Sequence, residues 1–132
     1  MIYFTLEELT KSNTAKTKGI DNTPNKQAID NLNTLVNNVL DPLRKLYGKP
    51  IRINSGYRSK ALNEVIGGAK NSQHMYGLAA DITGGSKKEN KILFDLIKNN
   101  LPFDQLIDEH NMSWVHVSFK EGELRKEIKI IK

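Results

Sequence analysis

Apolar residues along the chain fall into two kinds of pattern, helical and alternating. From Ala28 onward, Leu32, Leu35, Val36, Val39, Leu40, Leu43 and Leu46 recur at intervals of three, four and one. That spacing is one apolar stripe on an amphipathic helix. Thr23-Pro24 predicts its start, a hydroxyl cap followed by proline at the first helical position, and Gly48 its end. Pro42 interrupts the stripe and predicts a kink or break, because proline removes a backbone donor. Thr5-Leu6-Glu7-Glu8 has capping-box spacing and predicts a short helix over Leu6 to Lys11, whereas Ser12 to Asn22 is polar and aperiodic and reads as a surface segment. Ser59 caps a predicted helix through Val65 closed by Gly67-Gly68, and Ser86 begins another that carries Ile92, Leu93, Leu96 and Ile97.

The alternating stretches come mostly later. Ile51-Arg52-Ile53 runs as a strand into the turn Asn54-Ser55-Gly56, and Leu78 to Ile82 is a short apolar run between Gly77 and Gly84-Gly85, consistent with a buried strand. Gln105 to Glu109 and Trp114 to Phe119 predict two strands joined by His110-Asn-Met-Ser113. Glu127 to Ile131 predicts a final edge strand protected by its lysines. Helices first and strands late predict an α+β domain over residues 1–132, with a small, mainly antiparallel sheet packed on the N-terminal helices.

Composition narrows the function classes. The 132 residues include no cysteine, which excludes a disulfide framework, a thiol nucleophile and cysteine-built metal sites. No apolar run approaches the roughly 18–20 residues of a membrane span, so no stable membrane insertion is expected. The opening residues show neither a basic n-region nor a long apolar h-region, hence no visible signal peptide. A net charge of +5 favours anionic partners in general. The lysines are dispersed and no aromatic-rich basic motif occurs, so nucleic acid is not the expected partner.

Candidate chemistry lies with the histidines. Ser72-Gln-His74-Met-Tyr-Gly77-Leu-Ala79-Ala-Asp81 sets an imidazole and a carboxylate seven residues apart, with small residues between them. Trp114-Val-His116-Val-Ser118 has strand period, so Trp114, His116 and Ser118 share a face and Val115, Val117 and Phe119 the opposite, core face. Two imidazoles and one carboxylate make three-quarters of a tetrahedral zinc shell with one position open. Ions that prefer oxygen ligands alone fit two imidazoles poorly. Spacing by itself leaves the plainer alternatives open: histidines that are ordinary core or polar residues, and an Asp81 that organises a turn.

Ser-x-His-x-x-Gly-x-Ala-x-Asp followed by Trp-Val-His-Val-Ser closely resembles the zinc D-alanyl-D-alanine peptidase family, which includes wall carboxypeptidases and L-alanyl-D-glutamate endolysins and has a fold related to the Hedgehog signalling domain. The resemblance extends to Asn54-Ser-Gly-Tyr-Arg58-Ser, Gly67-Gly68 and Phe103-Asp-Gln-Leu-Ile-x-Glu109. It implies Zn2+ held by His74, Asp81 and His116, and a peptidase acting on peptidoglycan stem peptides; a monomer is expected, although no motif in the sequence speaks to oligomeric state. Arg58 is carried over as the cation that polarises the scissile carbonyl or holds a substrate carboxylate, against the alternative of a solvated loop arginine. Ser72 either hydrogen-bonds substrate or caps its turn. Tyr57 and Trp114 either wall the groove or pack in the core. The enzyme is expected to be made in the cytoplasm and to act on the wall after release or delivery by a partner.

One position departs from the family pattern. Many relatives carry Glu-x-x-His in the last motif, with the glutamate as general base, and here Ser113 stands three before His116. An even loop between the last two antiparallel strands sets Glu109 opposite Trp114, on the His116 face and as its diagonal neighbour, making Glu109 the expected base. An odd loop or a bulge reverses that parity. His110, in the turn, is the second candidate. The missing glutamate also supports a different reading: a catalytically silent, zinc-stabilised wall-binding or phage structural module.

Overall fold

A computed structural model describes residues 1–132. The N-terminal half is helical. Helix α1 (Leu6–Thr10) begins with the expected capping box, Thr5 accepting from the Glu8 N–H at 3.1 Å while the Thr5 N–H reaches the Glu8 carboxylate at 3.4 Å. The stretch expected as irregular surface contains a second short helix, α2 (Asn13–Lys18), capped by Ser12 and closed by Gly19. It buries only Ala15, too little apolar surface to leave a periodic trace in the sequence.

The long apolar stripe forms α3 (Lys26–Leu35), a π-helical turn (Val36–Leu40) and α4 (Asp41–Tyr47) without a break. Its cap is Asn25 rather than Thr23; the Asn25 side chain accepts the Ala28 N–H at 2.9 Å, while Thr23 N–H donates to Asp21. Pro42 does not break the helix. The preceding turn widens, so that the Asp41 N–H donates five residues back to Val36, and proline falls in the first turn of α4, where a missing donor costs little. The widened turn also leaves buried Asp41 to accept the N–H groups of Ile2 at 2.8 Å and Tyr3 at 3.1 Å, which pins the start of the chain.

Strands β1 (Arg52–Ser55), β2 (Ala79–Thr83), β3 (Gln105–Glu109), β4 (Trp114–Ser118) and β5 (Glu127–Ile131) form one sheet in the order β1-β2-β4-β3-β5. All neighbours are antiparallel except β3 and β5, which run parallel at the edge. Helices α5 (Lys60–Val65) and α6 (Lys87–Asn100) start at Ser59 and Ser86 as the caps predicted. One face of the sheet carries Ala80, Ile82, Leu106, Val115 and Val117 into the core, against Leu32, Leu35, Val39, Leu43, Leu93 and Ile97. By strand alternation the opposite face carries Ser55, Asp81 and His116, in register as cross-strand neighbours.

Beyond β4 the chain returns to the β3 edge of the sheet and is tied down at Asp104. This buried carboxylate accepts from Arg125 Nε at 2.8 Å, Arg125 Nη2 at 2.9 Å and Gln73 Nε2 at 2.8 Å. The Arg125 hydrogen bonds hold its pKa down at about 2, against an ordinary 3.8. Because the folded value lies below the unfolded one, the pair stabilises the fold above pH ~4 and its contribution disappears as pH falls from about 4 through about 2. Discounted for the solvent around half-exposed Arg125, the contribution is about 1 kcal/mol. Asp104→Asn is therefore expected to lower stability at neutral pH by about this much. The gap between variant and parent in urea melts should narrow below about pH 4 and close only below about pH 2; a gap of constant size would assign the loss to packing instead.

Candidate metal centre

Each potential ligand comes from a different local device. Asp81 lies in β2 directly opposite His116 in β4, with both residues buried. A bulge in β1 skips Asn54 and brings Ser55 opposite Asp81 on the other side. His74 sits in a single 3-10 turn, Gln73–Tyr76, whose entry Ser72 caps by accepting the His74 N–H at 3.2 Å. Gly77 ends the turn at φ +74, where a side chain would also collide with the Ala28 carbonyl of α3. The turn is thus pressed against helix α3, and His74 is delivered over the sheet.

The three side chains converge. His74 Nε2 lies 3.3 Å from Asp81 Oδ2, and His116 Nδ1 lies 3.0 Å from Asp81 Oδ1. The two rings stand edge-on, with centroids 5.2 Å apart, and one ligand atom from each residue lies within 4.8 Å of the other two. The arrangement fits a cation on grounds of donor chemistry alone. The Gly56 carbonyl, 2.7 Å from His74 Nδ1, can only accept, so that nitrogen carries the proton. In the neutral ring Nε2 is then a lone pair, and it faces a carboxylate oxygen, a second acceptor. His116 Nε2 is buried with no partner at all. The His74 Nε2 and Asp81 Oδ2 lone pairs, 3.3 Å apart, and the unpartnered His116 Nε2 are satisfied together by a positive ion, and the two-nitrogen, one-oxygen set suits zinc. With no ion in place burial opposes ionisation of Asp81, but once the two imidazoles are protonated their charge and hydrogen bonds outweigh it and hold the carboxyl well below the usual carboxylate range.

Arg58 closes the site. Its Nη2 is 3.4 Å from Asp81 Oδ2, its Nε 3.0 Å from Ser55 Oγ and its Nη1 3.2 Å from Asn63 Oδ1. It is not a solvated loop arginine: its side chain is only 13% exposed, and burial lowers its pKa from the ordinary value while Asp81 opposes that. Three of its five N–H donors are engaged, leaving two for a ligand. Asn22 braces the loop, accepting the Ser59 N–H at 2.7 Å and donating to the carbonyls of Thr10 and Tyr57.

The remaining expected site residues fall nearby in graded fashion. Glu109 pairs with Trp114 and Ile107 with His116, so the loop is even and Glu109 has the anticipated parity, half-buried and without an ion-pair partner. Asp108 faces the other way and accepts the Met112 N–H at 2.7 Å. His110, exposed at the turn, lies against Trp114 with ring centroids 5.1 Å apart. Ser113 is exposed and donates to the His110 carbonyl at 2.7 Å. Tyr57 packs half-buried against the core cluster. Ser55, Asn63 and the Gly56 carbonyl were not anticipated; they are ordinary polar groups whose role exists only once the chain has folded.

The family model for peptidase M15 matches residues 2–118. Over 49 residues the chain is 51% identical to the zinc D-Ala-D-Ala carboxypeptidase of Streptomyces albus G. That stretch is 36% of this chain and spans 19% of the relative's length.

Zinc added to metal-free protein is expected to bind at one equivalent and to raise the melting temperature. His74→Ala and His116→Ala should each lose both effects. Gly56→Ala, whose new methyl would meet the Leu9 backbone, should weaken zinc binding although it removes no ligand. Undiminished zinc binding by His116→Ala in a metal titration would remove this centre.

Proposed function

The chain belongs to the peptidase M15 family, and from that premise we propose that it is a zinc-dependent peptidase hydrolysing peptide bonds in the stem peptides of peptidoglycan. The observation that carries the reading is the buried carboxylate of Asp81 between two imidazoles whose lone pairs have no other occupant. A zinc ion held by His74, Asp81 and His116 would supply a Lewis acid for the scissile carbonyl and lower the pKa of water toward about 7.

The chain's own residues divide the remaining work. Arg58, fixed by Ser55, Asn63 and Asp81, holds a permanent charge with two free donors where negative charge grows on the carbonyl oxygen. Glu109 takes the proton of the attacking water and returns it to the leaving amine; its position diagonal to His116 and its unpaired carboxylate support this role. His110 is the alternative base from the same turn. Ser72 accepts from the His74 N–H and so keeps its own hydroxyl proton for a substrate oxygen. Trp114 and Tyr57, both half-buried, form apolar walls. No helix is long and apolar enough to cross a membrane, and the site of action is the cell wall.

Stem-peptide cleavage should vanish with a chelator and return with zinc. Glu109→Gln is expected to keep one equivalent of zinc while kcat falls about a hundredfold or more. Full turnover by that variant would move the base to His110. Wall binding with no cleavage under any metal condition would leave a silent binding module, the reading favoured by Ser113 at the usual glutamate position.

A further inference from the structure

A second concavity adjoins the metal centre without containing any of its ligands. It is a cleft of about 710 Å³ between helices α1 and α2 and the edge strand β1, lined among others by Glu8, Lys11, Arg52, Asn54, Ser55 and Arg58. Ser55 and Arg58 belong to both places: they line the cleft, and Arg58 touches Asp81. A single guanidinium therefore forms the divide between cleft and centre.

The charges in the cleft are unbalanced. Glu8 is its one acid, and that carboxylate is occupied by the α1 capping box. Lys11 and Arg52 are exposed and lie within ion-pair distance of no carboxylate. The bulge at Asn54 contributes here too. It puts Arg52, opposite Thr83, on the same face as Ser55, opposite Asp81, so that Arg52 lies on the strand face that leads to Ser55 and the Arg58 it holds. Two unpaired cations beside a polar wall give the cleft an excess of positive charge, and Arg52 offers the fork that matches a carboxylate.

We propose that this cleft is a specificity subsite that takes a free carboxylate of the substrate peptide, remote from the bond to be cut, through Arg52 and Lys11. The proposal rests on the stem-peptide reading, since it supposes a peptide that crosses Arg58 with one end at the metal and an acidic residue in the cleft. Binding at the subsite selects which peptides are held and does not touch the reacting atoms.

Two forms of one synthetic stem peptide test it, one with its glutamyl carboxylate free and one with that group amidated. The readout is the acid-to-amide ratio, taken as Kd by fluorescence anisotropy with zinc chelated and as kcat/KM with zinc present. The native chain should favour the acid by about tenfold or more, and the Lys11→Glu, Arg52→Glu double variant should bring the ratio to about one or below. Arg52→Lys should keep part of the preference, with its melting temperature confirming that a folded protein is compared. A native ratio near one, or a ratio that survives the double reversal, overturns the subsite. Cleavage without discrimination removes the subsite and leaves the peptidase reading; discrimination in binding without cleavage does the opposite.

Discussion

A carboxylate buried at the centre of a small protein is unfavourable unless charge and hydrogen bonds surround it, and Asp81 is the place where this constraint is met. Its two oxygens face His74 and Arg58 on one side and His116 on the other. Those partners come from a loop, a 3-10 turn and a neighbouring strand, so satisfying one side chain requires the β2–β4 register, the bulge in β1 and the capped turn at Ser72 together. A shift of one residue in β4 would exchange His116 for a valine and leave the charge unanswered.

The sheet separates two tasks. Its helix-covered face is filled by aliphatic side chains and supplies stability; its other face is polar and holds the chemistry. The β3–β4 turn is strained. His110, Asn111 and Met112 all have φ between 51° and 61°, a left-handed run that costs roughly 1 kcal/mol per residue for side chains other than glycine. It is held by the Asp108 carboxylate, by Asn90 donating to the Met112 carbonyl at 2.8 Å, and by His110 N–H donating to Ile131. Strain of this kind persists only where the surroundings over-determine it, and here it fixes the strand ends that carry Glu109 and Trp114.

Elements with a cap and a strong period were readable from residues alone: α1, α5 and α6 begin where Thr5, Ser59 and Ser86 stand. The histidine strand and the parity of Glu109 were readable for the same reason, since period two decides which side chains share a face. Helix α2 was not, because Ala15 alone does not make a stripe. The widened turn before Pro42 and the parallel pairing of β5 with β3 were equally silent, both being set by tertiary contacts. At the site, the convergent His74, Asp81 and His116 were visible as residue types in the sequence, whereas Ser55, Asn63 and Gly56 act through neighbours far away in sequence, which no local pattern encodes.

Gly56 shows how far such distant action reaches. Its carbonyl orients the His74 ring, and the backbone here lies so close under α1 that the next residue, Tyr57, donates its N–H to Leu9 at 2.8 Å. The tautomer of His74 is thereby governed by the seating of a five-residue helix near the amino end. Ion retention and proteolytic nicking of that first segment should accordingly be coupled: a chain clipped before Ser12 would keep every coordinating side chain and still release its ion more readily.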